Sequence, residues 1–545
     1  MKKLFTLNLL TLAFVTGLFA QTRYIDEVFD EVEVTNDIVY GVNATLLFLP
    51  VVGEAVPEPL LLDMYAPAGD DATDRPVVLV FHTGNFLPAI TNAQIAGTRK
   101  DSSAVEICTQ LARRGFVACS VDYRLGWNPL AETQPERALG LIQAAYRGLQ
   151  DGRNAVRYMR ANADMYGIDD SKIAMWGNGT GGYLVLGTAA LNDYLEIVTT
   201  TNGPGKFLLD IDGDGVPETP MVVPQYHGDI EGKVLTVAPD GSFGMPAGDT
   251  TNYVNFPDVS SDYALTINIG GALGDISWID ENTGPIISVQ SAFDQFAPYD
   301  DAVLIVPTTG DPIVQVQGGI AIARKQNELG NNDVFANGIY DDPITQLAKD
   351  NSAEAGHDYE EGLFPWIKPA NSNGFDEGVI INWWDPNGLV TFLSDMGPVT
   401  APINMIPHPL GGTFHDNGLI LNEGMSAEKA RANIADIMSY VIPRTCLALA
   451  LPECDYLFTN TEDVLEDDSF LKISPNPVSD NMRIESSEEL IQTVEIYNTN
   501  GQLVFKNSNV NAASLTVNRQ SMGSGMFVVK TTFENGISTR KVMVK

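Results

Sequence analysis

The sequence predicts an α/β protein, a doubly wound, mostly parallel sheet followed by a small C-terminal β-sandwich. Three observations carry that expectation. Between Arg75 and Cys446 short apolar runs alternate with segments of helical periodicity. Residues 176–183 read Trp-Gly-Asn-Gly-Thr-Gly-Gly-Tyr directly after one of those runs, at the kind of strand exit where open α/β sheets bind ligands. From about Leu471 the text changes to period-two alternation broken by turns such as Asn-Gly.

The elements follow in chain order. A length of 545 residues suggests two or more domains. Met1-Lys2-Lys3, the apolar run Leu4 to Phe19 and the small Ala20 have the order of a secretory signal peptide, so residues 1–20 are expected to direct export and to be removed. That run is shorter than the ~20 apolar residues a bilayer span needs, and no later segment supplies them, so no transmembrane segment is expected after cleavage. Residues 21–75 give the N-terminal strands of the main domain and 76–460 its core, with an insertion at about 200–260. Pro76 to Phe81 is continuously apolar and β-branched, as a strand covered on both faces should be. Ser102 to Arg114 has an apolar side made by Val105, Ile107, Cys108 and Leu111, and Gly115 is placed to end that helix. Phe116 to Val121 reads as the next strand, Ala144 to Met165 as a long helix, and Lys172 to Trp176 as the strand that feeds the glycine-rich turn. The acidic stretch Glu462 to Ser469 makes 461–470 a solvated linker, and 471–545 a separate module.

Charge excludes one class of partner. Lys and Arg number 32 against 70 Asp and Glu, a net charge of −38, and such a surface repels nucleic acid. Four cysteines are too few for a disulfide scaffold. Export permits Cys446 and Cys454 to pair, whereas Cys108 and Cys119, on a helix and the next strand, read equally well as a bridge or as two buried thiols.

The turn at 177–181 has the spacing of a nucleophile elbow, Gly-x-Ser-x-Gly, with Gly179 standing where the serine belongs. Around it, His82-Thr83-Gly84-Asn85-Phe86 after a buried strand, Ser120-Val-Asp-Tyr-Arg-Leu-Gly126, Asp151-Gly-Arg-Asn-Ala-Val-Arg157 and Tyr166-Gly-Ile-Asp169 occur in the order found in carboxylesterases and lipases. From about Asp63 to Leu191 the chain therefore resembles an α/β-hydrolase of the carboxylesterase type. The resemblance implies a secreted protein that hydrolyses a small ester. Loss of the hydroxyl leaves a catalytically silent protein that binds a small-molecule ligand at the cell surface as the alternative. It puts Thr83, Gly84 and Thr180 at the oxyanion N–H positions. The acid falls on Asp294 in Asp-x-x-x-Pro-Tyr299, with Asp311 as its competitor, and the base on His357, with His408 and His415 as substitutes among five histidines. Thr180 is the one hydroxyl close enough in sequence to stand in as nucleophile, and a directly attacking water is the other escape. Phe364, Trp366, Trp383 and Trp384 are read as an acyl or aryl pocket or, more simply, as core.

Two further segments complete the reading. Asp210-Ile-Asp212-Gly-Asp214-Gly-Val-Pro-Glu218 has donors at positions 1, 3, 5 and 9 of a calcium loop but Met221 at the twelfth, so structural calcium and a plain polar turn both stand. No cofactor is expected for catalysis. At the C-terminus, Ile473-Ser-Pro-Asn-Pro-Val-Ser-Asp480, Val494 to Val504, Gly525 to Lys530 and Arg540 to Lys545 together resemble the type A sorting domain of the type IX secretion system. That resemblance implies passage through the periplasm, an outer-membrane translocon as partner, and release or attachment at the cell surface.

Overall fold

β1 (Val32–Thr45) and β2 (Val56–Pro67) form an antiparallel pair that opens an eight-stranded sheet. Its other strands are β3 (Arg75–Phe81), β4 (Val117–Val121), β5 (Ile168–Asn178), β6 (Leu265–Ile269), β7 (Ile286–Ser291) and β8 (Leu363–Trp366). The order across the sheet is β1-β2-β4-β3-β5-β6-β7-β8, and every neighbour from β4 onward pairs in parallel. The computed structural model describes residues 21–545 apart from 203–204, 212–213, 295–296, 307–308, 337, 375–377, 395–396, 453, 455–469, 499–502, 520–521, 524 and 534–536. The expected signal segment and nearly all of the expected linker lie outside the described residues.

Helices cover both faces of the sheet. One cluster joins α1 (Ser102–Arg113) and α6 (Ala427–Ala448) to the sheet, through Ile107, Leu111, Ile437 and Val441. On the other face lie α2 (Gln134–Ala161), α3 (Thr180–Ala190) and α4 (Gly319–Leu329), with Val156, Leu184 and Ile322 in the packing. The strands β3 and β4 are buried along nearly their whole length, which is why their sequences show no polar alternation. α5 (Pro343–Glu354) precedes β8.

α2 begins at Gln134, not at Ala144 as expected from its pattern. The Thr133 hydroxyl accepts from the Glu136 N–H and the Glu136 carboxylate accepts from the Thr133 N–H, a reciprocal cap with Pro135 in the first turn. Many polar residues of α2 are buried, Arg147, Gln150, Asp151 and Arg153 among them, and their presence on the inner side blurs the apolar period. The most enclosed pair is Asp151 with Arg124, just beyond β4. Asp151 accepts from the Arg124 backbone N–H at 2.8 Å and from Nε at 2.9 Å, and both side chains are fully buried.

Cys446 and Cys454 form a disulfide at the end of α6. Cys108 and Cys119 are buried free thiols, raised well above the ordinary thiol range by burial. No described helix is long and apolar enough to cross a membrane.

The second compact unit spans Phe458–Lys545. It holds two antiparallel sheets: Leu471–Ser474, Asn481–Ser486 and Ser514–Asn518 in one, and Leu503–Asn507, Thr493–Asn498, Gly525–Thr532 and Ile537–Val544 in the other. Alternate residues of both, including Ile484, Val517, Ile496 and Val529, meet in one apolar cluster.

Candidate functional site

The chain leaves β5 at Asn178, turns at Gly179 with φ 51° and ψ −111°, and enters α3 at Thr180. This is the sharp strand-to-helix bend of an elbow. A backbone that few L-residues adopt is compatible here with glycine. Gly177 and Gly181 are required for a different reason, close backbone approach. A Cβ on Gly177 would overlap the Gly181 carbonyl, and one on Gly181 would overlap the Phe81 carbonyl. Gly177→Ala is expected to cost at least ~1–3 kcal/mol, because backbone rather than a mobile side chain blocks it, and the midpoint of denaturant unfolding checks this.

The volume in which a side chain at 179 would stand is already occupied. A Cβ built on Gly179 would overlap Thr83 Oγ1 and lie 3.1 Å from Thr83 Cβ. The same Oγ1 accepts from the Thr180 N–H at 3.5 Å, and the Thr180 hydroxyl accepts from the Asn85 N–H at 2.7 Å. Thr83, Gly84 and Thr180 are thus brought together at the elbow. Gly84 has φ 126°, and a Cβ there would lie 2.9 Å from the Gly97 Cα.

His82 anchors this loop from below. Its ring is buried, stacks on Tyr123 with centroids 4.5 Å apart, contacts the Thr83 carbonyl at 2.5 Å through Nδ1, and sets Nε2 3.4 Å from Asp122. Burial alone pushes its pKa down, but the Asp122 carboxylate outweighs burial and holds it above the ordinary value, while His82 and Arg99 hold Asp122 below its own. The pair's stabilisation is therefore complete between about pH 4 and 6.5, the unfolded values. It is lost as pH rises through the raised His82 pKa, and as pH falls through the depressed Asp122 pKa. His82→Gln is expected to flatten the alkaline loss, measured as urea midpoint against pH.

The other expected triad positions are dispersed. Asp294 follows β7, accepts from the Ala297 N–H at 2.9 Å, and its charge, after burial, helps to raise the Tyr183 hydroxyl of α3. Asp311 sits between the hairpin strands Asp301–Ile305 and Pro312–Gln317. It is held at about 2 by Arg137 of α2, 2.6 Å away. His357 lies in the loop that enters β8, whereas parallel strands gather the elbow and the Asp294 loop at their exits. Its Nε2 meets the Tyr299 hydroxyl at 2.8 Å and its Nδ1 the Asp358 carbonyl at 2.7 Å. Among the described residues no hydrogen bond joins it to Thr83 or Thr180. His408 accepts from the Leu410 N–H and His415 from the Trp384 indole.

A cavity of about 140 Å³ opens beside the elbow, lined by Leu141, Ala145 and Leu149 of α2, Thr180 and Leu184 of α3, and Trp278. Its wall is largely apolar; Asn85 and Thr180 are polar, and Tyr146 and Tyr183 add rings that bear hydroxyls. The aromatic set expected from sequence does not form this wall. Phe364 and Trp366 are in the core under α6, and Trp383 and Trp384 line a separate cavity of about 390 Å³ with Asp101 and Asn382 at the start of α1. Burial raises Asp101 there to about 6.

In the insertion, carboxylate oxygens of Asp210, Asp214 and Glu218 lie within 4.8 Å of one another, all on exposed residues. Asp212 lies outside the described residues.

The sheet order, the elbow and the loop that faces it define an esterase-type α/β-hydrolase fold. A family model described as BD-FAE matches residues 62–206, and one described as "Domain of unknown function (DUF8694)" matches residues 467–544. Among solved structures the chain is similar to Thermogutta terrifontis esterase 2 phosphorylated by paraoxon, at 17% identity over 50% of this chain and 74% of that one, with a TM-score of 0.27. The propionate-bound form of that esterase gives 17%, 51%, 77% and 0.24. A truncated carbohydrate esterase from gut microbiota gives 15%, 50%, 81% and 0.26. No curated protein matches the chain.

Proposed function

We propose that this chain is an exported, esterase-type α/β-hydrolase protein that binds a small neutral ester beside the elbow and forms no acyl-enzyme on it. The observation that carries the reading is Gly179 in the elbow conformation with the Thr83 hydroxyl in the room of a side chain there. A nucleophile is absent at the bend itself, and Thr180, the next hydroxyl along the chain, is turned onto the Asn85 N–H. A largely apolar wall with a few polar and no charged side chains suits an uncharged ligand with an apolar body. Asp294, on the same side of the sheet, disfavours a carboxylate. A second reading, slow ester hydrolysis by a directly attacking water, is supported by the backbone N–H groups at 84 and 180, which survive changes of side chain.

Titration of the full chain with a neutral aryl ketone, an isostere of an aryl ester, tests the binding. Saturable binding that is lost in Ala145→Phe, which fills the cavity, is expected. Binding unaffected by that substitution would place the ligand elsewhere.

Residues 1–20 and 471–545 are read as export signal and type IX sorting domain, the latter supported by a separate all-antiparallel unit with one core. Without 471–545 the protein is expected to stay in the periplasm instead of reaching the cell surface or medium. Asp210, Asp214 and Glu218, with Asp212, are read as a structural calcium loop, and a calcium-dependent rise in melting temperature is the corresponding result.

A further inference from the structure

Two residues depart together from the motifs that meet at the elbow: Thr83 stands where the oxyanion loop of the resembled family has glycine, and Gly179 where its elbow has serine. The structure puts them in contact. We propose that they are a complementary pair, in which the Thr83 side chain takes the room of an elbow side chain, caps the Thr180 N–H, and makes glycine necessary at 179.

With the elbow backbone fixed, a Cβ at 179 would overlap Thr83 Oγ1 and lie 3.1 Å from Thr83 Cβ. Turning χ1 of Thr83 does not remove the conflict. Two of the three staggered rotamers point the oxygen or the methyl group at 179, and in the third, which turns a hydrogen there, the Thr83 Cβ stays 3.1 Å away because rotation about χ1 does not move it. The loop cannot easily withdraw either, because His82 and Tyr123 hold it: Tyr123 donates to the His82 carbonyl at 2.9 Å, and His82 contacts the Thr83 carbonyl. The pair also has a polar side. The Thr180 N–H, an oxyanion donor in the resembled family, already has the Thr83 oxygen as acceptor, so an incoming carbonyl oxygen must displace it. Restoring serine alone therefore leaves the site closed. This polar half rests on the proposed ligand site at the elbow; the steric half stands without it.

A double-mutant cycle on the full chain tests the pair. Gly179→Ala carries the same backbone strain in every background, so strain cancels and the coupling to Thr83 remains. Gly179→Ala is expected to lower the melting temperature of the main unit by roughly 3–8 °C in the parent and in Thr83→Val, which keeps the volume, and by clearly less in Thr83→Gly. Equal losses in all three backgrounds would overturn the steric half. Should Gly179→Ala fail to fold, recovery of folded protein in Thr83→Gly/Gly179→Ala supports the pair and failure there overturns it. Thr83→Val, which removes only the acceptor, is expected to speed hydrogen exchange at the Thr180 amide, and an unchanged rate overturns the cap. A chain that bound no ester would still show both effects, so failure of the functional reading is distinguishable from failure of this one.

Discussion

Asp151→Ala is expected to lower the stability of the main unit by ~3–5 kcal/mol, the largest effect of any single side-chain truncation anticipated in this chain. Asp151 and Arg124 have no exposed side-chain surface. Removing the carboxylate leaves a guanidinium whose remaining acceptors are the neutral Gln150 side chain and the Arg147 and Ala44 carbonyls. Arg147 itself is buried close by and is pushed down to about 9 by burial and by the Arg124 charge. Two cations would then face each other with no anion between them. The measurement is a denaturant midpoint, and Arg124→Met/Asp151→Leu should recover part of the loss, since an apolar pair needs no compensation. A loss below ~1 kcal/mol would contradict the view that this pair fixes α2 to the exit of β4. The pair also matters for the site. Arg124 directly follows Asp122 and Tyr123, which hold His82 and, through it, the oxyanion loop.

The second large effect is on reactivity. The parent protein and its Gly179→Ser variant are both expected to resist labelling by a fluorophosphonate that consumes a serine hydrolase stoichiometrically. A hydroxyl at 179 would lack a free general base as well as room. His82 is buried in its ion pair with Asp122, and His227 is a weak base because burial lowers it to about 4. His357 is engaged with Tyr299 and Asp358 at the entry to β8. Hydrolysis that persists without triad chemistry is limited to ~10³–10⁴ over water, the contribution of oxyanion donors and binding. It should be unchanged in His357→Ala; a collapse of turnover in that variant would return His357 to the mechanism.

The parts of the fold that were legible in the sequence are those written locally. β3 announces itself by a continuous apolar run, as does most of β4, the elbow by the spacing of Gly177, Gly179 and Gly181, and the C-terminal strands by alternation. The start of α2 was legible in Thr133-Gln-Pro-Glu136 but hidden by an apolar pattern that buried polar residues interrupt. Long-range partners were not legible. Nothing near Thr83 in the chain tells that its hydroxyl meets Gly179, although the simultaneous departure of both motifs was a signal. His357 sits in a Gly-His loop that reads like a base-bearing one. Which end of a strand that loop joins depends on β8, only Leu363 to Trp366, too short for periodicity to mark. The aromatic residues after it gave a pocket by type, whereas the cavity beside the elbow is built of aliphatic residues of α2 and α3 that look like ordinary core.

An elbow built around Gly179 forms no covalent intermediate. Rapid mixing of the full chain, at a concentration that makes one equivalent visible, with a short-chain p-nitrophenyl ester tests it most directly. Nitrophenolate is expected to be released linearly from time zero, with no burst. A burst approaching one nitrophenolate per chain would contradict it and identify an acylated side chain that the geometry at Gly179, Thr180 and Thr83 does not provide.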